Sequence, residues 1–133
     1  MKRSKRKPSI TVAPTTDLYR RGDVVWANCD PSVGVEPKKI RTCVVVSNDI
    51  ANRYGQAITL VPTQGYTEER ASRGYMVDLR PPRSSMNEAR VANASQVMTY
   101  DRNRIAGRAG RVAPDTLRAL DHALALHLGL VEP

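Results

Sequence analysis

The stretch "KKIRTCVVVSND", residues 38–49, sets a permanently charged Arg41 at the mouth of the most strand-like apolar run in the chain, Cys43 to Val46. A guanidinium never loses its charge, and its planar fork can hold two oxygens of one phosphate or carboxylate. Fixed at the end of a rigid strand, such a group suits the stabilisation of developing negative charge. Its structural alternative is a salt bridge to Asp30 or Glu36. The other candidates for chemistry are fewer. His122 and His127 lie five residues apart on a helical segment, about 140° round the axis, which is the wrong spacing for a shared metal. One surface and one partly packed histidine are expected. Cys29 and Cys43 are too few for a disulfide framework and are expected as free thiols, with Cys43 a small core residue. No CxxC, HExxH or phosphate-cradling glycine loop occurs, so zinc and nucleotide-hydrolase chemistry have no motif behind them.

The elements that must position Arg41 read as short strands separated by Gly, Pro and Asn. "DVVWAN" (23–28) follows the turn signal Arg21-Gly22, with Trp26 as its apolar anchor. "CDPSVGVEPKK" holds two prolines and a glycine and reads as a flap before the Arg41 strand. A turn or short helix through "NDIANRYG" comes next. "QAITLVPT" (56–63) is a strand expected to end at Pro62, and "GYMVDL", "ARVANASQVMTY" and a short segment near Ile105 complete the β set. That spacing predicts a small antiparallel barrel or two packed sheets. The period then changes. Leu117, Leu120, Leu124 and Leu128 form one helical stripe that starts at Pro114-Asp115 and stops at Gly129, predicting a C-terminal helix across the barrel.

At 133 residues the chain is expected to form one domain with a modest core. Its formal charge of +8 suggests a polyanionic partner, but five of the positive charges stand in the opening "MKRSKRK", leaving +3 on the rest. Residues 1–18 read as a basic, disordered arm that adds non-specific phosphate attraction, and residues 19–133 as the folded domain. No segment reaches the roughly 18 apolar residues of a membrane span, and no apolar stretch follows the N-terminal charges. A soluble, cytoplasmic protein without membrane attachment is expected.

The order of the motifs goes further. Gly22-Asp23, an aromatic residue at Trp26, Asp30-Pro31, Gly34-x-Glu36, an arginine five residues after that glutamate, and Ser47-Asn48-Asp49 follow one another. Near the other end stand "QVMTYD" from Gln96, Gly107 to Val112 before Pro114, and a helix finishing in Leu-Gly-Leu. This ordered set resembles the MazF/PemK-like toxins, endoribonucleases of bacterial toxin–antitoxin pairs, over about residues 19–130. The resemblance implies a mainly β fold, a small SH3-like antiparallel barrel with a C-terminal helix, paired as a homodimer with RNA in a groove between subunits. It also implies cofactor-free, metal-independent cleavage of single-stranded RNA at a short preferred sequence by attack of the ribose 2′-hydroxyl. The implied partner is a cognate MazE-like antitoxin whose acidic, partly disordered tail blocks the groove.

Carried onto this chain, the resemblance makes Arg41 the catalytic arginine and Glu36 the flap base. The family's Thr or Ser, two residues past a proline, falls on Gln64 by count and on Thr63 with a slip of one. Lys38, Lys39, Asn48, Gln64 and Gln96 are the implied RNA contacts. Two departures stand out: Thr42 where a proline usually follows the arginine, and Ser95 where many members carry an acid. A gyrase-inhibiting toxin of the same fold needs no such arginine. A non-catalytic SH3-like nucleic-acid-binding barrel would use exposed aromatics for stacking, whereas this chain has no Phe and one Trp, expected in the core.

Overall fold

The computed structural model describes residues 18–29 and 40–133. Apart from Leu18, the basic arm lies outside the described residues, as does the flap beyond Cys29. β1 (Asp23–Asn28) and β2 (Ile40–Val45) pair antiparallel, and α1 (Asp49–Tyr54) leads to the long β3 (Ala57–Gly65). A short α2 (Glu68–Ala71), β4 (Met76–Asp78), β5 (Arg90–Asn93), β6 (Met98–Asp101), β7 (Ile105–Arg111) and α3 (Pro114–His127) follow. The seven strands form one sheet in the order β4-β5-β3-β2-β1-β7, with β6 added along the first half of β3. The loop after β4 reaches the end of β7 through a Ser84–Val112 bridge and the Ser85 N–H to Arg111 carbonyl bond of 2.9 Å. The sheet thereby curls towards a barrel, the expected architecture.

Alternation along the strands sorts the core into two clusters, one on each face. Val24, Val44 and Val61 join Leu79, Met86, Leu120 and Ala123 under α3. Val25, Ala27, Cys43, Val45, Ile58 and Leu60 pack with Tyr19, Tyr100 and Ile105 on the other face. α3 begins at Pro114, as expected, because its missing N–H would be unpaired in a first turn anyway. Its leucine stripe is graded: Leu120 is fully buried, Leu117 and Leu124 half-buried, and Leu128 exposed. Both histidines are exposed, so His122 and His127 are two surface residues rather than one surface and one packed.

The Gly-Asp pair after Arg21 has a structural task. Gly22 takes φ +95°, a left-handed conformation that favours glycine, while its N–H bonds the Val45 carbonyl at 2.8 Å. Asp23, 4% exposed, then accepts from Arg108 at 3.0 Å and Arg111 at 2.6 Å, so its buried charge is paired with the adjacent strand β7.

Three elements depart from the sequence reading. β3 runs through Pro62 to Gly65 instead of ending there. Pro62 stands where β3 changes partner from β6, last paired at Leu60, to β5, first paired at Thr63, and such an interruption tolerates a residue without an N–H. "ARVANASQVMTY" divides into β5, a 3₁₀ turn at Ala94–Gln96 and β6, because the Asn93 side chain caps the turn by accepting from the Ser95 N–H. Trp26 is only half-buried, since its cross-strand neighbours are the small Thr42 and Gly107, which cannot cover an indole.

Candidate active site

Arg41 is the second residue of β2, and the registers decide its neighbours. Cys43 lies opposite Pro62, so two residues earlier Arg41 stands level with Gln64 on β3 and on the same face. That face opens into a cleft of about 440 Å³ whose lining includes Arg41, Cys29, Pro62, Ser95, Gln96 and Tyr100. Gln64 accepts from Asn93 Nδ2 at 3.2 Å, and Asn93 Oδ1 accepts from the Ser95 hydroxyl at 2.6 Å. A chain of neutral polar groups therefore runs along the wall beside the guanidinium. No acidic side chain lines the cleft among the described residues, and there Arg41 has no ion-pair partner. Asp30 and Glu36, the acids a structural salt bridge would use, lie outside the described residues, as do Lys38 and Lys39.

Thr63 is placed differently. It projects to the opposite face, fully buried, where its hydroxyl donates to the Thr42 carbonyl at 3.0 Å. With that single proton used, the same oxygen accepts from the Thr42 hydroxyl at 2.6 Å and from Arg90 Nε at 3.0 Å. Arg90 Nη2 also donates to the Thr63 carbonyl at 2.9 Å. The hydroxyl's hydrogen-bonding capacity is filled, so in this arrangement Thr63 holds Arg90 and does not face the cleft. Thr42, where a proline was expected, supplies the other half of this buried pair.

Arg90 is the residue that motif reading missed. Burial, foremost, lowers its pKa, and the neighbouring charges of Arg41 and Arg70 press the same way against the pull of Glu88. Arg70 donates to the Gly65 carbonyl at 2.7 Å. Among the described residues none of Arg41, Arg70 and Arg90 has a salt-bridge partner, while Arg21, Arg80, Arg108 and Arg111 each have an aspartate. Arg90 thus lies within electrostatic reach of both Arg41 and Arg70, and Glu88 partly offsets them. An alternating strand with an arginine at its first position was the one available signal for Arg90.

Gln64, Gln96 and Arg41 therefore share one region. Asn48 does not: its side chain caps α1 by accepting from the Ala51 N–H at 2.8 Å. It lies beyond the far end of β2, which is itself roughly 13 Å along the strand from Arg41. Two cysteines underlie the cleft. Cys29 and Cys43 are free, with sulfurs 2.8 Å apart. The hydrogen bond from Cys43 lowers the Cys29 pKa, against burial and with help from Arg41, while that same bond and burial hold Cys43 well above the usual thiol value. Burial, foremost, pushes Tyr100 up to about 12.

The arrangement offers a fixed cation, neutral hydrogen-bonding groups and an open cleft, which suits a polyanion with polar bases. The curated Endoribonuclease MazF of Staphylococcus saprophyticus is 26% identical over 113 residues, covering 85% of this chain and 93% of the relative. Among solved structures, an endoribonuclease in complex with its cognate antitoxin from a mycobacterial species superimposes with a TM-score of 0.70 at 23% identity, covering 86% of this chain and 99% of that one. MazF in a MazE–MazF structure from Deinococcus radiodurans gives 0.71 at 20% identity, covering 86% and 99%. The sequence pattern of the PemK-like, MazF-like toxins of type II toxin–antitoxin systems matches residues 20–128, and the chain belongs to that family.

Proposed function

We propose that this chain is an endoribonuclease toxin that cleaves single-stranded RNA by attack of a ribose 2′-hydroxyl on the adjacent phosphate. The observation that carries the reading is Arg41, held at a strand end, without an ion-pair partner among the described residues, in a cleft free of acidic side chains there. The 2′ oxygen bonds to phosphorus as the bond to the 5′ oxygen breaks, leaving a 2′,3′-cyclic phosphate and a 5′-hydroxyl. Arg41 stabilises the charge that builds on the non-bridging oxygens. Glu36 is the assigned base for the 2′ proton, with Lys38 and Lys39 beside it in sequence for phosphate attraction. Gln64 and Gln96 offer amide groups to base edges, and Arg70 and Arg90 continue the positive surface for flanking phosphates. Thr63 is assigned a positioning role through Arg90.

A mixed RNA pool incubated with the protein in EDTA should give fragments with cyclic phosphate and 5′-hydroxyl ends at one short sequence. Intact RNA, with binding retained, would favour the non-catalytic barrel, and gyrase inhibition without cleavage the other toxin class. The inhibiting partner in this reading is a small antitoxin whose acidic segment lies along the Arg41–Arg90–Arg70 surface.

The same reading makes the active species a homodimer, which adds a second apolar interface to a modest core. Exposed Ile50 and Tyr54 of α1, beside Leu18, supply one candidate seam. Sedimentation at micromolar concentration should give about twice the 14.7 kDa chain mass. A monomer with full cleavage activity would overturn the paired-groove arrangement.

A further inference from the structure

The meeting of Cys29 with Cys43 is not a consequence of the β1–β2 ladder. That ladder sets Val25 opposite Cys43, so a straight continuation would leave Cys29 four residues, about 13 Å, farther along. The chain instead leaves the ladder after Asn28 and bends over the sheet. Two bonds hold the bend: Arg104 Nη1 to the Asn28 carbonyl at 3.2 Å and the Tyr100 hydroxyl to the Cys29 carbonyl at 3.2 Å. The sulfurs end 2.8 Å apart, and a move of ~0.8 Å closes them to a disulfide bond of ~2.05 Å. Their surroundings are unequal. Cys43 is fully buried in the apolar cluster, whereas Cys29 is partly exposed and lines the cleft beside Arg41.

We propose that Cys29 and Cys43 form a reversible dithiol–disulfide site whose co-reactant is a hydroperoxide, with Cys29 reacting first and Cys43 resolving. The Cys29 thiolate attacks the peroxide's terminal oxygen and the O–O bond breaks; the departing alkoxide, or hydroxide from hydrogen peroxide, takes up a proton, leaving Cys29 as a sulfenic acid. The Cys43 sulfur then attacks the Cys29 sulfur, the S–O bond breaks, and the oxygen leaves as water with the Cys43 proton. In sum, two thiols lose two electrons and two protons, and one hydroperoxide becomes one alcohol and one water. Thiol exchange with a small dithiol reverses the reaction. The Cys29 environment fits the first step, because the neighbouring Cys43 thiol, Arg41 and Arg104 all favour its thiolate. The fully buried Cys43 is reached only from inside, by its partner. The cross-link would sit in the cleft wall, two residues along β2 from Arg41.

The test uses the reduced full-length protein, a small excess of hydrogen peroxide, catalase to stop it, then maleimide under denaturing conditions. Expected are a chain lighter by two hydrogens, no maleimide label, a peptide map joining Cys29 to Cys43, and full relabelling after dithiothreitol. With C43A the reaction should halt at Cys29 sulfenic acid, trapped by dimedone. The proposal is overturned if both cysteines still take maleimide after treatment, if cross-links run between chains, or if wild-type Cys29 proceeds to sulfinic acid with Cys43 still free. The wild-type mapping decides the matter even if C43A fails to fold, and none of these outcomes depends on RNA cleavage.

Discussion

Arg41→Ala is expected to lower single-turnover RNA cleavage by about 10²-fold or more while leaving the melting temperature nearly unchanged. The size is that of losing one preorganised donor to a developing anion. The unchanged stability follows from its setting: the guanidinium is half-buried, and among the described residues it has no acid partner whose charge would be stranded. Arg41→Lys should recover little, because an ammonium keeps the charge but cannot hold two phosphate oxygens in one plane. A bridge from Arg41 to the flap would give the opposite pair of results, a lower melting temperature with a normal rate per folded molecule. Near-normal turnover by the alanine variant would end the catalytic assignment.

Thr63→Val should do the reverse, costing about 2 kcal/mol of folding stability while reducing cleavage by no more than about 10-fold in the folded protein. The substitution keeps the shape but removes the oxygen that takes hydrogen bonds from Thr42 and from Arg90 Nε. Arg90 is half-buried, and leaving its donor unpaired there is the main penalty. Thr63→Ser retains the hydroxyl and should restore most of the loss. Urea melts and single-turnover rates on the same preparations separate the roles. A loss of 10²-fold from fully folded Thr63→Val would make the hydroxyl a reacting group, requiring the site to rearrange so that it reaches the cleft.

Much of the fold was legible because its determinants are local. The glycine of the Arg21-Gly22 turn, the alternating Val-rich strands, the leucine stripe and the Pro114 start each follow from neighbours within a turn or two, and so does Arg41 at a strand mouth. What stayed hidden depends on strand pairing. Which of Thr63 and Gln64 faces Arg41 depends on the β2–β3 register: because side chains alternate, a one-residue shift moves a group to the other face, which puts Gln64 level with Arg41 and buries Thr63. Pro62 reads as a stop in one dimension and becomes a change of partner in the sheet. Arg90 carries no motif of its own. Its position opposite Gly65, diagonal to Thr63, gathers three positive charges that are distant in sequence. The contact between Cys29 and Cys43 likewise depends on residues distant in sequence, Tyr100 of β6 and Arg104 of the turn before β7, which bond the chain where it bends after Asn28. Sequence alone determined the segments and the single cation. Tertiary structure decided which groups face it, since facing is a property of paired strands and not of residue order.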